Sequence, residues 1–394
     1  MKQSLSISLV LVAGLAWSAW AQDDSRVTRE GAYWVATIHG EIARSPIQEL
    51  RVDTVGNVVL RGDGGNRAVY TLTLRVRASD QKDAQPLLGQ FEVKKRTEGE
   101  RAYFTVRRER SSPAEAELSL SIPRGLRQVW VGTQMGSVRA SDLDGQLEAR
   151  SGGGGISVDG IRGSAEMRTG GGDIQVGSVG GALRCFSGGG AIRVQNAGGE
   201  SWLETAGGEI SVHQAMAAVH TSAAGGNIRI DQVSGPVFAS TSGGLIQVDQ
   251  ADGAVTAESS GGAIQVNGAK GVQCDSAGGA IRLRSVAGML HASTNAGSIW
   301  AELLGGHPLQ DSMLSTRAGD ITVFIPSNLP VTVVARNGSE GTLGRIVSDF
   351  PEIRVRSASR VQGAPVVAEG ALDGGGPVLH INVDGGTIYL RRGK

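Results

Sequence analysis

Two aspartates near the middle of the chain have a spacing that could serve catalysis. His213, Asp231, Asp249 and Asn267 follow one another at intervals of 18 residues. If each interval returns the chain to the same face, Asp231 and Asp249 lie side by side. Neighbouring carboxylates can share a cation, and one of them can act as a general acid beside its ionised partner. This chemistry would suit a polysaccharide lyase or hydrolase.

Three arginines favour a simpler interpretation of the same residues. Arg193, Arg229 and Arg282 lie in the column next to the aspartates, where they can compensate the negative charge. We therefore expect a solvated face of mixed charge. A carbohydrate-active enzyme that uses Asp231 and Asp249 remains the alternative.

A second group of residues could bind a ligand without catalysis. Trp202, His220 and Phe238 are also 18 residues apart, and Phe186 lies one interval earlier. A row of exposed rings would form a flat apolar ladder that can stack on sugar rings or dock a protein surface. We predict a ligand site at these four residues, with a glycan or an envelope or surface protein as partner. Alternatively, a loop from the N-terminal region covers this face.

Metal sites and a disulfide are not expected. Calcium-binding β-rolls carry Gly and Asp in each turn, whereas here Ile follows Gly-Gly-x and the Asp is missing. The six histidines show no metal-ligand spacing. Cys185 and Cys274 fall in one inward column, roughly 24 Å apart at about 4.8 Å per interval, too far for a bridge. We predict no cofactor and two buried free thiols.

A repeat of 18 residues must position all these side chains. Its central isoleucine recurs seven times without a gap, at Ile156, Ile174, Ile192, Ile210, Ile228, Ile246 and Ile264. A fixed period with alternating apolar residues indicates a solenoid with two short strands per unit. The predicted fold is all-β: a parallel β-helix (β-solenoid) with 18-residue, two-strand coils and an N-terminal β-rich cap.

The turns repeat as regularly as the strands. One glycine column requires a positive φ or a close backbone approach, at positions 154, 172, 190, 208, 226, 244, 262, 279 and 297. A serine or threonine column stands three residues earlier, as at Ser187 and Thr205. We expect these hydroxyls to bond backbone groups of the turns.

The chain divides into four predicted segments. Residues 1–21 have the basic start, the apolar stretch and the small residues of a signal peptide; 22–130 are the β-rich cap; 131–325 are the regular solenoid; 326–394 are irregular coils and a cap. The 38 basic and 38 acidic residues give no argument for nucleic acid. We expect export to the periplasm or the cell surface, and no membrane span in the mature chain.

Several motifs in order resemble a bacterial family of exported β-strand-repeat proteins, the putative-adhesin family. They are residues 118–123 (Leu-Ser-Leu-Ser-Ile-Pro), 129–131 (Val-Trp-Val), 136–138 (Gly-Ser-Val), 319–326 (Gly-Asp-Ile-Thr-Val-Phe-Ile-Pro) and 385–390 (Gly-Gly-Thr-Ile-Tyr-Leu). Together with the Gly-Gly-x-Ile repeats, they cover nearly all of the mature chain. The resemblance implies a right-handed parallel β-helix and a role in envelope or surface adhesion. It brings no catalytic residues with it, and an envelope-stress component that acts through protein contacts stays open as a further alternative.

Overall fold

The computed structural model of the chain describes residues 24–43, 46–109, 114–338, 345–357 and 365–393. The predicted signal peptide lies outside the described residues. Within them, strands form one long open sheet, and a single helix accompanies it. The all-β prediction is therefore confirmed.

The N-terminal part contains nine strands and the helix. Their bounds are β1 Asp24–Glu30, β2 Tyr33–Glu41, β3 Glu49–Thr54, β4 Asn57–Asp63, β5 Val69–Arg77, α1 Gln81–Leu88, β6 Phe91–Glu98, β7 Arg101–Arg108, β8 Ala114–Pro123 and β9 Gln128–Thr133.

Eighteen further strands form the regular part, most of them five or six residues long. They are β10 Val138–Leu143, β11 Gln146–Ser151, β12 Ile156–Ile161, β13 Ala165–Thr169, β14 Ile174–Val179, β15 Leu183–Ser187, β16 Ile192–Ala197, β17 Ser201–Thr205, β18 Ile210–Ala215, β19 Val219–Ala223, β20 Ile228–Val233, β21 Val237–Thr241, β22 Ile246–Ala251, β23 Val255–Ser259, β24 Ile264–Val266, β25 Ala269–Ser276, β26 Ile281–Thr294 and β27 Ile299–Leu303.

Eight strands complete the described chain. They are β28 Ser312–Ala318, β29 Ile321–Ile325, β30 Val331–Asn337, β31 Arg345–Ser348, β32 Arg354–Ser357, β33 Val366–Leu372, β34 Val378–Gly385 and β35 Thr387–Arg392.

Strands of the regular part pair in parallel with the strand one repeat away. Even-numbered strands β10 to β26 form a first ladder, in which Ile174 pairs with Ile192. Odd-numbered strands β9 to β25, continued by β26, form a second ladder, in which Leu183 pairs with Ser201. Alternate side chains of both ladders are buried and together make the apolar core. The pairing interval equals the sequence period because one repeat supplies one strand to each ladder.

The turn predictions can be compared with individual contacts. Thr205 Oγ1 donates to the Gly190 carbonyl at 2.8 Å and accepts the Gly208 N–H at 3.2 Å, so it links two successive turns. Glycine is required at 190 because an added Cβ would collide with the Gly172 carbonyl of the preceding turn. None of the nine columnar glycines has a positive φ. Close approach of the stacked backbones therefore explains the column.

Both ends of the ladders depart from chain order. At the N-terminal end β3 lies between β7 and β9, and β4 lies between β8 and β10. At the other end β34 lies between β28 and β30, and β35 lies between β29 and β31. The sequence pattern led us to expect residues 379–390 as the final coil. They form the penultimate pair, and earlier residues are stacked outside them.

Antiparallel strands cover the outermost pairs. β1, β2 and β5 extend from β8, and β6 extends from β7. β33 and β32 extend from β30, in a region where the sequence indicated loops. The sequence also gave no warning of α1, which begins at an Asp80 N-cap and buries Ala84 and Leu88. Its eight residues are too few to show a helical period.

Candidate functional site

Three of the predicted site residues form a continuous stack on the second ladder. Trp202, His220 and Phe238 pair across β17, β19 and β21 and point outward. The Trp202 and His220 ring centroids are 3.8 Å apart with planes 3° from parallel. The His220 and Phe238 centroids are 4.6 Å apart at 6°. Strand pairing at about 4.8 Å brings successive rings to stacking distance.

The stacking changes the surface that the sequence led us to expect. Because the rings stack along the direction in which the strands pair, their faces contact one another and their edges point outward. Both faces of His220 are covered, while Trp202 and Phe238 each keep one free face. Nε2 of His220 also contacts Glu200 Oε1 at 3.1 Å, which fixes the imidazole. The stack is a rigid apolar ridge rather than a row of separate flat platforms.

The ridge is open to solvent. Trp202 is 43% exposed and Phe238 is 41% exposed. The covering loop that we considered is not seen over these rings within the described residues. Phe186, 39% exposed, lies in the neighbouring outward column, where it pairs with Glu204, and does not join the stack.

A shallow groove of about 450 Å³ runs beside the ring stack. Its second wall is a polar column that sequence reasoning missed, formed by Glu204, Ser222, Ser240 and Glu258. The column follows the same 18-residue period, which was the signal that could have revealed it. Within the described residues, neither glutamate has a hydrogen bond or an ion pair. Two acceptors therefore face the groove with their capacity unused.

The comparisons with known proteins concern the fold. Neither a protein-family model nor a curated protein matches the sequence. Among solved structures, a "putative cell adhesion protein" from Clostridium sporogenes has 8% identity, covering 90% of this chain and 98% of its own, with a TM-score of 0.20. A "putative adhesin" from Bacteroides fragilis has 13% identity, covering 73% and 95%, with a TM-score of 0.21. A "putative lipid binding protein" from Parabacteroides distasonis has 13% identity, covering 71% and 97%, with a TM-score of 0.33.

Two of these names agree with the family that the sequence resembles. At TM-scores of 0.20 to 0.33 the matches carry no argument about what this chain binds. The local geometry of the site therefore has to support any functional conclusion.

The aspartates of the first ladder lie in a network of charged and polar groups. Arg229 donates to Asp231 Oδ1 at 2.9 Å and to Asp249 Oδ2 at 3.4 Å. His213 Nδ1 lies 2.9 Å from Asp231 Oδ2, and Asn267 donates to Asp249 Oδ1 at 2.8 Å. One of the expected arginines therefore bridges both carboxylates.

The other two arginines have different partners. Arg193 pairs with Asp173 at 3.1 Å, and the Arg282 guanidinium lies 5.7 Å from the Trp300 ring centroid. The compensation that we expected from three arginines comes from Arg229 alone.

The Asp231 carboxyl is poorly suited to act as an acid. Partial burial raises its pKa, but hydrogen bonds from His213 and Arg229 outweigh this effect and hold the pKa below its ordinary value of 3.8. A general acid at neutral pH needs a raised pKa. Asp231 stays ionised where glycosidic chemistry would need its proton.

This network leads to a prediction about stability at acid pH. Because the folded-state pKa of Asp231 is lowered, its ionised form stabilises the fold above the unfolded pKa, and this contribution disappears as pH falls through the folded value. Asp231→Asn should lower the free energy of unfolding by up to about 1 kcal/mol at neutral pH. Urea unfolding should show the difference from wild type shrinking below about pH 4. A difference that grows with acidity would contradict the assignment.

The cysteines lie in the core as predicted. Cys185 and Cys274 are free and buried, and burial raises the pKa of both thiols. The described residues contain no group of three His, Cys, Asp or Glu side chains placed to hold a metal ion. No helix in the described part of the chain has the length and apolarity needed to cross a membrane.

Proposed function

We propose that this protein is an exported binding module that holds a glycan in the groove beside the ring stack. The observation that carries the proposal is the pairing of an exposed three-ring ridge with a polar column whose glutamates have no partner in the described residues. Sugars offer apolar C–H groups together with hydroxyls. The rings can contact the former, and Glu204 and Glu258 can accept charge-assisted hydrogen bonds from the latter.

A binding role fits the rest of the molecule better than catalysis. Asp231 and Asp249 share Arg229, and Asp231 is held ionised. We therefore do not propose an enzyme. The module would be non-enzymatic, with adhesion or an envelope-structural role as its biological setting.

The finer features of the architecture belong to the same proposal. We infer a parallel β-helix with 18-residue coils over residues 131–325, a cap over 22–130 and an irregular end over 326–394. The signal peptide over 1–21 would direct the chain to the periplasm or the cell surface. A regular stack of this kind holds its side chains at fixed intervals, which favours weak contacts repeated along one ligand.

Glycan binding by residues 22–394 tests the proposed function. On an array of neutral, amino and acidic oligosaccharides, the wild type should bind at least one class. Trp202→Ala and Phe238→Ala should each weaken binding by on the order of thirtyfold, as expected for a central aromatic contact worth about 2 kcal/mol. Thermal unfolding should change little, because both side chains are exposed.

Trp300→Ala is the matched control. Trp300 is also a half-exposed tryptophan, but it lies on β27 in the first ladder, against Phe324. Its removal should leave glycan binding unchanged. Failure of the wild type to bind any glycan would contradict the proposal, and a protein partner at the ring stack would then be the better hypothesis.

A further inference from the structure

A second groove adjoins the one beside the ring stack. It has a volume of about 780 Å³ and lies on the other side of the polar column. The two grooves share Phe186, Glu204, Ser222, Ser240 and Glu258 as lining residues. Two of the shared side chains are serines, so the wall between the grooves is low there. We call this second groove the trough.

The trough is much longer than the ring stack. It begins at Phe186 on β15 and reaches Ser293 on β26, and the column between them advances one strand at a time. Six strand steps at about 4.8 Å give roughly 29 Å. The ring stack covers only the two steps from β17 to β21, about 10 Å. The trough therefore continues past Phe238 along β23, β25 and β26.

The far part of the trough is polar and its groups are unpaired. Glu258 and Asp275 have no hydrogen bond or ion pair through their carboxylates within the described residues, and Ser260 stands exposed beside them. Small turn residues such as Ala277 keep the rim low. A ligand here meets hydrogen-bonding groups at regular intervals.

The strands beneath the trough have no free edge. Each of β15 to β25 pairs with a neighbour on both sides, so an extended peptide could not add itself to the sheet through main-chain bonds. The available contacts are side-chain carboxylates and hydroxyls. These favour a ligand with many hydroxyl groups over a polypeptide.

We propose that the glycan is a linear polymer that runs along the trough parallel to the stacking direction of the strands, beyond the ring stack and as far as β26. This inference rests on the proposed function, because the ring stack is taken as the first contact. Each added sugar residue that enters the trough forms its contacts within an existing complex, so affinity should rise steeply with ligand length.

The test compares short and long ligands of the same chemistry. Trimers and octamers of β-1,4-linked glucose, β-1,4-linked N-acetylglucosamine and β-1,3-linked glucose are titrated calorimetrically into residues 22–394. In the series that binds, the octamer should bind at least about tenfold more tightly than the trimer. Trp202→Ala should weaken both.

Variants at the far end of the trough separate length from stacking. Ala277→Leu places bulk in the trough, and Asp275→Asn removes a charged acceptor, so both should bring octamer affinity towards that of the trimer while trimer affinity is unchanged. Ala254→Leu, at an exposed alanine before β23 and outside the trough, is the matched control and should alter neither.

The outcomes distinguish the two proposals. Equal affinity of trimer and octamer in the wild type, or wild-type octamer affinity in both far-end variants, would overturn the polymer inference and leave the proposed function standing. Absence of binding in all three series, or binding that Trp202→Ala does not affect, would overturn the proposed function and the inference with it.

Discussion

Gly190→Ala should destabilise the protein by at least about 3 kcal/mol, although it adds a single methyl group. Gly190 is buried, and a Cβ there would collide with the Gly172 carbonyl of the neighbouring turn. That carbonyl also accepts the Ser187 hydroxyl at 2.9 Å, so it cannot move without breaking the turn contacts. Two stacked backbones would have to separate. Thermal and urea unfolding of the variant should show the loss directly.

The neighbouring glycine provides a closely matched control. Gly189 is exposed, has no atom within 4 Å of an added Cβ and does not have a positive φ. Gly189→Ala should be neutral or stabilise by up to about 1 kcal/mol, because alanine restricts the unfolded chain. If the two variants unfold alike, close backbone approach does not explain the glycine column.

Ile388→Asp should have an even larger effect, on the order of 4 kcal/mol or more, because it buries a charge without a partner. Ile388 is 0% exposed on β35. It pairs with Ile321 on one side and with Ile346 on the other. The variant should therefore damage both neighbouring strands, although one of them precedes β35 in the chain by about forty residues.

Hydrogen exchange can locate the damage. In Ile388→Asp, amide protection should fall in β29 and β31 as well as in β35. Tyr389→Asp, at the next residue but directed outward beside Arg391, should retain protection in all three strands. Loss confined to β35 would mean that this strand ends the ladder, contrary to the pairing described above.

The regular part of the fold could be predicted because its information is local and repeated. Alternation within five residues assigns the buried face, and the 18-residue interval equals the register, as the pairing of Ile174 with Ile192 shows. The hydroxyl and glycine columns were likewise readable, since each belongs to one turn chemistry. A choice between positive φ and close approach at Gly190 required the position of the neighbouring backbone.

The candidate site was only partly predictable. The column of Trp202, His220 and Phe238 followed from spacing, but whether the rings present faces or edges depends on side-chain torsions and on their mutual attraction. The contribution of Glu204 and Glu258 also escaped notice, because a glutamate without a partner looks the same in sequence as a paired one. Sharing of Arg229 by Asp231 and Asp249 was one of several possible charge arrangements.

By itself, the sequence determined the strand type, the period, the inward columns and the faces on which the rings and carboxylates lie, because each depends on neighbours within one repeat. Only the tertiary structure decided the order of strands at the two ends, where β3 and β35 are each inserted between strands distant in sequence. It also decided the union of the ring stack with the polar column in one groove. These features depend on contacts between separate repeats, and a linear pattern does not specify which distant surfaces meet.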